Sequence, residues 1–266
     1  MISIGFIGTG NLASSVIKGL VQGNTSYHIA AFDVFQEKAA ALATIYPIRA
    51  VTFAEIVQES EVLFLAVKPK DIKALLNDLA AYNLRGKLII SVAAGISLSF
   101  YEKTLPDAAI VRVMPNTSSA VLQAVSGLAR GSCVSEKQAD ITQDIFSVLG
   151  KCVWIDDGKM NALTAVSGSG PAYFYYLTEL MAQAGVRLGL TKDEADFLAS
   201  QTLIGAGKMQ AESGKTSAEL REAVTSPNGT TFAALESFRE SELEKIVFEA
   251  MKACAKRAEE MEGEYV

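Results

Sequence analysis

Residues 5–13 read Gly-Phe-Ile-Gly-Thr-Gly-Asn-Leu-Ala, and the spacing of Gly8, Gly10 and Ala13 inside that stretch decides the fold. A continuous apolar run, residues 2–7, leads into it, and a helically patterned run, residues 12–21, leads out. Strand, two glycines, small residue, helix is the order in which a chain can wrap the pyrophosphate of a dinucleotide. Gly8 permits the tight turn, and Gly10 lets the backbone approach the anion. Ala13 keeps the helix close to the strand. The unpaired N–H groups at the helix start supply the donors.

Outward from this motif the same cadence repeats. Apolar runs recur at 29–32, 62–67, 88–92 and 109–113, and helical patterning fills 36–45, 72–82 and 97–105. Continuous rather than alternating apolar runs fit strands buried on both faces. The alternation predicts an α/β Rossmann-type doubly wound parallel sheet over residues 1–159. Two further strand-like runs, 126–129 and 152–155, flank a helix opened by Ser135 with Gln138 three residues on. Beyond residue 156 no comparable strand run follows. Pro171 stands where a first helical turn begins and Gly189 where that helix should stop. The start signal Ser/Thr-x-x-Glu recurs at Thr191/Glu194, Thr216/Glu219 and Ser241/Glu244. Residues 160–266 are therefore expected to form an all-α C-terminal domain.

Bulk properties narrow the function. The chain has 266 residues, half of them hydrophobic, and a net charge of −6. An acidic chain without clustered Lys and Arg does not fit nucleic-acid binding. No apolar run reaches the length of a membrane span, and the N-terminus reads as a strand rather than a signal peptide. Cys133, Cys152 and Cys254 are odd in number and scattered, neither a disulfide frame nor a metal-ligand set. A cytoplasmic protein without metal, membrane or nucleic-acid partner is expected.

The candidate ligand residues sit where strands end. Asp33 closes the second strand, 23 residues after Gly10. An acid there accepts hydrogen bonds from ribose hydroxyls and repels a 2′-phosphate; the alternative is a solvated loop acid. Lys68-Pro69, Val92 to Gly95 and Met114 to Thr117 each follow a strand, so these loops are expected to converge on a nicotinamide. Lys68 reads equally as a surface charge. Asn116 can orient a polar ligand or stabilise its own turn. The one histidine, His28, precedes the second strand and is expected at the opposite end of the sheet, so the chemistry must manage without imidazole. Late in the chain, Thr-Ser-Pro-Asn-Gly-Thr-Thr (225–231) breaks the helical pattern. Pro227 fixes one backbone angle and Asn228-Gly229 allows an unusual turn, so a new helix should start at about Thr230 or Thr231.

Six motifs in order, "GFIGTGNLA", "LAVKP", "AAG", "MPNT", "SGSGPAY" (167–173) and "LREAVTSPNGTT" (220–231), resemble those of the pyrroline-5-carboxylate reductases over essentially the whole chain. The resemblance implies that hydride from NADPH or NADH reduces the C=N bond of pyrroline-5-carboxylate to L-proline, the last step of proline biosynthesis. It also implies a helical dimerisation domain that interlocks with a partner subunit, giving a homodimer or a higher homo-oligomer with active sites at the dimer interface. Carried over, it places the pyrophosphate on Ile7, Gly8, Thr9, Gly10, Asn11 and Leu12. The nicotinamide half falls beside Ala66, Val67, Lys68, Pro69, Val92, Ala93 and Ala94. The substrate falls on Ser226, Gly229, Thr230 and Thr231, with Asn116 nearby and Thr231 as the catalytic position against the ring nitrogen. Two residues depart from the family pattern: Asn228 stands where a glycine is usual, and Asp33 stands where NADPH-preferring members often carry small hydroxyl residues. Two rival readings are another imine or hydroxyacid reductase of the same build and a non-catalytic dinucleotide-binding regulator.

Overall fold

In the computed structural model, which describes residues 2–23 and 27–264, strand and helix alternate through the first half of the chain. The order is β1 (Ile2–Ile7), α1 (Asn11–Gln22), β2 (Tyr27–Phe32), α2 (Gln36–Ile45), β3 (Arg49–Ala50), α3 (Phe53–Glu59), β4 (Val62–Leu65) and α4 (Pro69–Leu79). It continues β5 (Leu88–Ser91), α5 (Leu98–Thr104), β6 (Ala109–Met114), β7 (Ala124–Arg130), α6 (Glu136–Ser147) and β8 (Gly150–Trp154). The strands form one sheet in the order β3-β2-β1-β4-β5-β6-β7-β8. Successive residues feed opposite faces. Phe6 and Phe64 pack on one side with Phe146 of α6, while Ile7, Leu63 and Leu65 pack on the other against α3, α4 and α5. Strands covered by helices on both faces have no use for polar residues, which is why they read as continuous apolar runs.

Two features differ from the sequence-based expectation. The sheet is parallel except at β6–β7, which pairs antiparallel, Val111 opposite Arg130 and Met114 opposite Gly127. Nine residues join those strands, and a parallel return needs a crossover of about a dozen or more. The short β3 and α3 carry no apolar run long enough to announce them. A usable signal was nonetheless present: Thr52 and Glu55 form a capping box of the same Thr-x-x-Glu type read elsewhere in the chain.

The helical part comprises α7 (Met160–Leu163), α8 (Gly170–Arg187), α9 (Lys192–Glu212), α10 (Ser217–Ala223), α11 (Thr230–Glu240) and α12 (Leu243–Glu264). Capping boxes form at Thr191/Glu194 and Thr216/Glu219 as expected. At Ser241 the expectation fails: this residue ends α11, and Glu242 turns the chain with φ 53° before α12 begins. Gly189, at φ 106°, follows the end of α8.

The chain divides into two compact units, Met1–Ser169 with Ala253–Val266, and Gly170–Lys252. The expected division at 159/160 is thus displaced. Met160 and Leu163 are buried in the core of the sheet unit, so the chain leaves that unit only after residue 169. The second half of α12 belongs to the sheet unit as well, tied by an ion pair between Glu262 and Arg112 of β6. Within the helical unit α8 and α9 meet through Ala182, Ala195 and Ala199, which are its buried apolar residues. No helix among the described residues is long and apolar enough to cross a membrane.

Candidate active site

In the sheet unit the strand order reverses between β1 and β4, whose following helices cover opposite faces. Ligands of open parallel sheets bind outside the carboxyl ends of strands at such a reversal. The turn after β1 is built for close approach. Gly8 has φ 93°, and a Cβ there would stand 2.7 Å from the Ala66 carbonyl oxygen, so geometry and space both demand glycine. Nothing lies within 4 Å of a Cβ placed on Gly10, whose backbone is open on that side. Ser14 N–H makes the first helical bond of α1, to Gly10 oxygen, so the N–H groups of Asn11, Leu12 and Ala13 precede the ladder. These features fit a pyrophosphate. Ile7 and Ala13 are buried, so Ile7 can meet a ligand only through its backbone.

Asp33 is 9% exposed, which excludes the solvated loop acid. Its Oδ2 accepts from Thr9 N–H (2.9 Å) and the Thr9 hydroxyl (2.8 Å), and its Oδ1 accepts from Phe35 N–H (3.0 Å). Burial pushes the carboxyl upward, but these donors, together with Lys38, outweigh it and hold Asp33 below the usual carboxylate range. Its visible work is to brace the glycine turn, with Thr9 as the partner it holds. Sequence spacing alone could not show this, because the same position serves a ribose in other chains.

Of the later loops, Lys68 is exposed and sits just before α4, which opens on Pro69. Ala66, Val67, Val92 and Ala94 are half-buried, whereas the Ala93 methyl lies in the core. Asn116 donates from Nδ2 to the Ser167 carbonyl oxygen (3.1 Å), which joins the "MPNT" and "SGSGPAY" motifs. Its Oδ1 is buried without a hydrogen-bond partner among the described residues. His28 lies on β2 level with Ser3, at the amino end of the sheet and away from these loops.

In the helical unit the break at 225–231 is a tight turn between α10 and α11. The Thr225 hydroxyl donates to Arg221 oxygen (2.6 Å) and Gly229 N–H donates to Ser226 oxygen (3.0 Å). The left-handed residue is Asn228, at φ 59°, a role asparagine tolerates. Gly229 has φ −81° and leaves room instead: a Cβ there would stand 3.1 Å from the Ser226 carbonyl oxygen and would push the Ser226 hydroxyl aside. The helix α11 starts at Thr230, and Ala233 N–H makes its first bond, so the N–H groups of Thr230, Thr231 and Phe232 precede the ladder.

Helix starts divide into two kinds. Thr52, Ser97, Ser135, Thr191 and Thr216 cap α3, α5, α6, α9 and α10 with their own hydroxyls. The helices α1, α2, α4, α7 and α11 open without a side-chain cap. Two of these uncapped starts, α1 after β1 and α11 after the "TSPNGTT" turn, stand where the motifs ask for an anion.

A dinucleotide cradle on a doubly wound sheet, followed by a helical domain with an open helix start, defines an oxidoreductase of the two-domain, nicotinamide-dependent class. Residues 3–95 match the family described as "NADP oxidoreductase coenzyme F420-dependent", and residues 157–261 match "Pyrroline-5-carboxylate reductase dimerisation". The pyrroline-5-carboxylate reductase of Pseudomonas aeruginosa is 42% identical over 262 residues, covering 97% of this chain and 96% of that protein. The solved structure of a pyrroline-5-carboxylate reductase from Coxiella burnetii superimposes with a TM-score of 0.92 at 32% identity, covering 97% of each chain. That of Plasmodium falciparum pyrroline carboxylate reductase with NADP bound gives 0.83 at 26%, covering 98% of each. The chain belongs to the pyrroline-5-carboxylate reductase family.

Proposed function

We propose that this protein reduces the C=N bond of pyrroline-5-carboxylate to L-proline, with NADPH or NADH as hydride donor. The observation that carries the residue roles is the start of α11: uncapped, bearing two threonine hydroxyls, beside two neighbours, α9 and α10, that are capped. Thr230, Thr231 and the N–H groups ahead of the ladder hold the substrate carboxylate, with Ser226 and Gly229 shaping the turn and Thr231 donating toward the ring nitrogen. The free N–H groups at the start of α1 hold the pyrophosphate beside Gly8 and Gly10, and the loops at 66–69 and 92–94 flank the nicotinamide. When bound, the cofactor supplies the hydride. A cyclic imine takes its proton from water, so the protein's task is alignment, with donor and acceptor carbons at about 3–3.5 Å. Asn116 keeps the 114–117 loop in place through its bond to the Ser167 carbonyl oxygen.

The test is Thr231→Ala. Substrate KM should rise or turnover fall about tenfold or more, well beyond a stability change that stays under about 2 kcal/mol. Affinity for the dinucleotide should be unchanged. A wild-type rate and KM would remove Thr231 from the site.

Asp33, held ionised at the end of β2, disfavours a 2′-phosphate, so NADH is a usable donor. Assays with NADH and NADPH in parallel, repeated for Asp33→Ser, should show the ratio of kcat/KM moving toward NADPH. The helical unit's exposed apolar residues, Phe174, Tyr175, Tyr176, Phe197 and Phe248 among them, support a homodimer or an oligomer built from dimers. A cytoplasmic location fits the scattered free thiols of Cys133, Cys152 and Cys254.

A further inference from the structure

Arg112 is the charged residue of the otherwise apolar strand β6, and its side chain is 5% exposed. It pairs through Nη1 with Asp157 Oδ1 (2.8 Å) and through Nη2 with Glu262 Oε1 (2.9 Å), partners 45 and 150 residues away in sequence. A buried ion cluster adds little net stability over an apolar equivalent, so its worth lies in what it fixes in place. Here the contacts converge on one loop, residues 92–97. Asp157 Oδ2 accepts from Leu98 N–H (3.1 Å), pinning the far end of that loop. The Ser91 and Tyr101 hydroxyls share a 2.5 Å hydrogen bond at its near end. In the middle, Gly95 has φ 71° and presses on the last helix: a Cβ there would stand 3.1 Å from Cβ of Met261, the residue next to Glu262. The C-terminal turns of α12 are therefore the back support of the loop.

We propose that the Arg112–Asp157–Glu262 cluster positions the 92–97 loop for the nicotinamide end of the cofactor, and that Glu262 is a positioning residue for hydride transfer. This rests on the reading above that Val92 to Ala94 flank the nicotinamide. The test compares binding of the reduced dinucleotide with binding of ADP-ribose, or its 2′-phosphorylated form, which lacks that end. In the full-length enzyme, Glu262→Ala should weaken the dinucleotide and lower kcat, each about tenfold, a fraction of what a 1 Å misplacement can cost. The fragment should bind within about twofold of wild type, since its own contacts are untouched. Glu262→Gln, which keeps an acceptor at the guanidinium, should recover most of the loss, and it keeps the question open to measurement if the alanine variant fails to fold. Amide exchange across 92–97 should quicken in Glu262→Ala. Equal weakening of dinucleotide and fragment, or no change in either, overturns the proposal. Ala94→Val separates this failure from that of the underlying reading. If Ala94→Val alters the dinucleotide-to-fragment ratio and Glu262→Ala does not, only the positioning role falls. If Ala94→Val leaves the ratio unchanged, the nicotinamide lies elsewhere and both fall.

Discussion

Phe64 and Phe248 are both phenylalanines in regular elements, yet Phe64 is fully buried in the sheet unit and Phe248 is 64% exposed in the helical unit. The sheet unit covers itself: α1, α2 and α6 lie on one face, α3, α4 and α5 on the other, and each strand supplies apolar residues to both. The helical unit has three buried alanines for an apolar core and leaves Tyr175, Tyr176, Phe197, Phe238 and Ile246 exposed. Its helices are well specified locally, with capping boxes at Thr191 and Thr216. Local signals thus set the helices, while the burial that stabilises them must come from outside the unit. An apolar surface of that extent marks an interface.

The comparison can be broken most forcefully from the sheet side. Phe64→Ala should cost about 3–5 kcal/mol in denaturant unfolding, independent of protein concentration, because it opens a cavity between Phe6 and Phe146. A change under about 1 kcal/mol would mean that this core is not close-packed.

Phe248→Glu sharpens the other side. On a free surface the substitution would stay within about 0.5 kcal/mol. Covered by a second copy, it should forfeit about 1.5–3 kcal/mol of burial per chain and shift sedimentation toward the monomer at micromolar concentration. An unchanged sedimentation profile would place Phe248 outside the interface.

The smallest effect concerns the glycine turn. Asp33→Asn should destabilise by about 1–2 kcal/mol at pH 7, the scale of a hydrogen bond to a charged group. Because folding lowers the Asp33 pKa, its contribution is present above the ordinary carboxylate value, about 4, and is lost as pH falls below it. The gap between wild type and Asp33→Asn should close on acidification, as followed by thermal melts from pH 7 to pH 3. A gap constant across that range would show that the carboxylate's charge plays no part.

Much of this was legible along the chain. The spacing of Gly8, Gly10 and Ala13 announced a strand-turn-helix, and the structure supplies its reasons in the φ of Gly8 and the approach to Ala66. The turn at 225–231 announced a helix at Thr230 or Thr231, and α11 begins at Thr230. The start signals at Ser135, Thr191 and Thr216 were sound because a hydroxyl and a residue three positions on bond each other without help from elsewhere. The same pattern misleads at Ser241, where the end of α11 claims the residue, and the capping box at Thr52 opens a helix too short to show in the apolar pattern.

What sequence by itself determined is everything carried by neighbours within a few residues: strand runs, helix starts, the glycine turn and the open start of α11. Tertiary structure alone decided the antiparallel β7, the engagement of Asp33 by Thr9, the unpaired Asn116 Oδ1, and the return of α12 to Arg112. Those depend on pairs from 13 to 150 residues apart. A buried charge or acceptor has no local signature, because its partner is chosen by the folded packing and not by spacing along the chain.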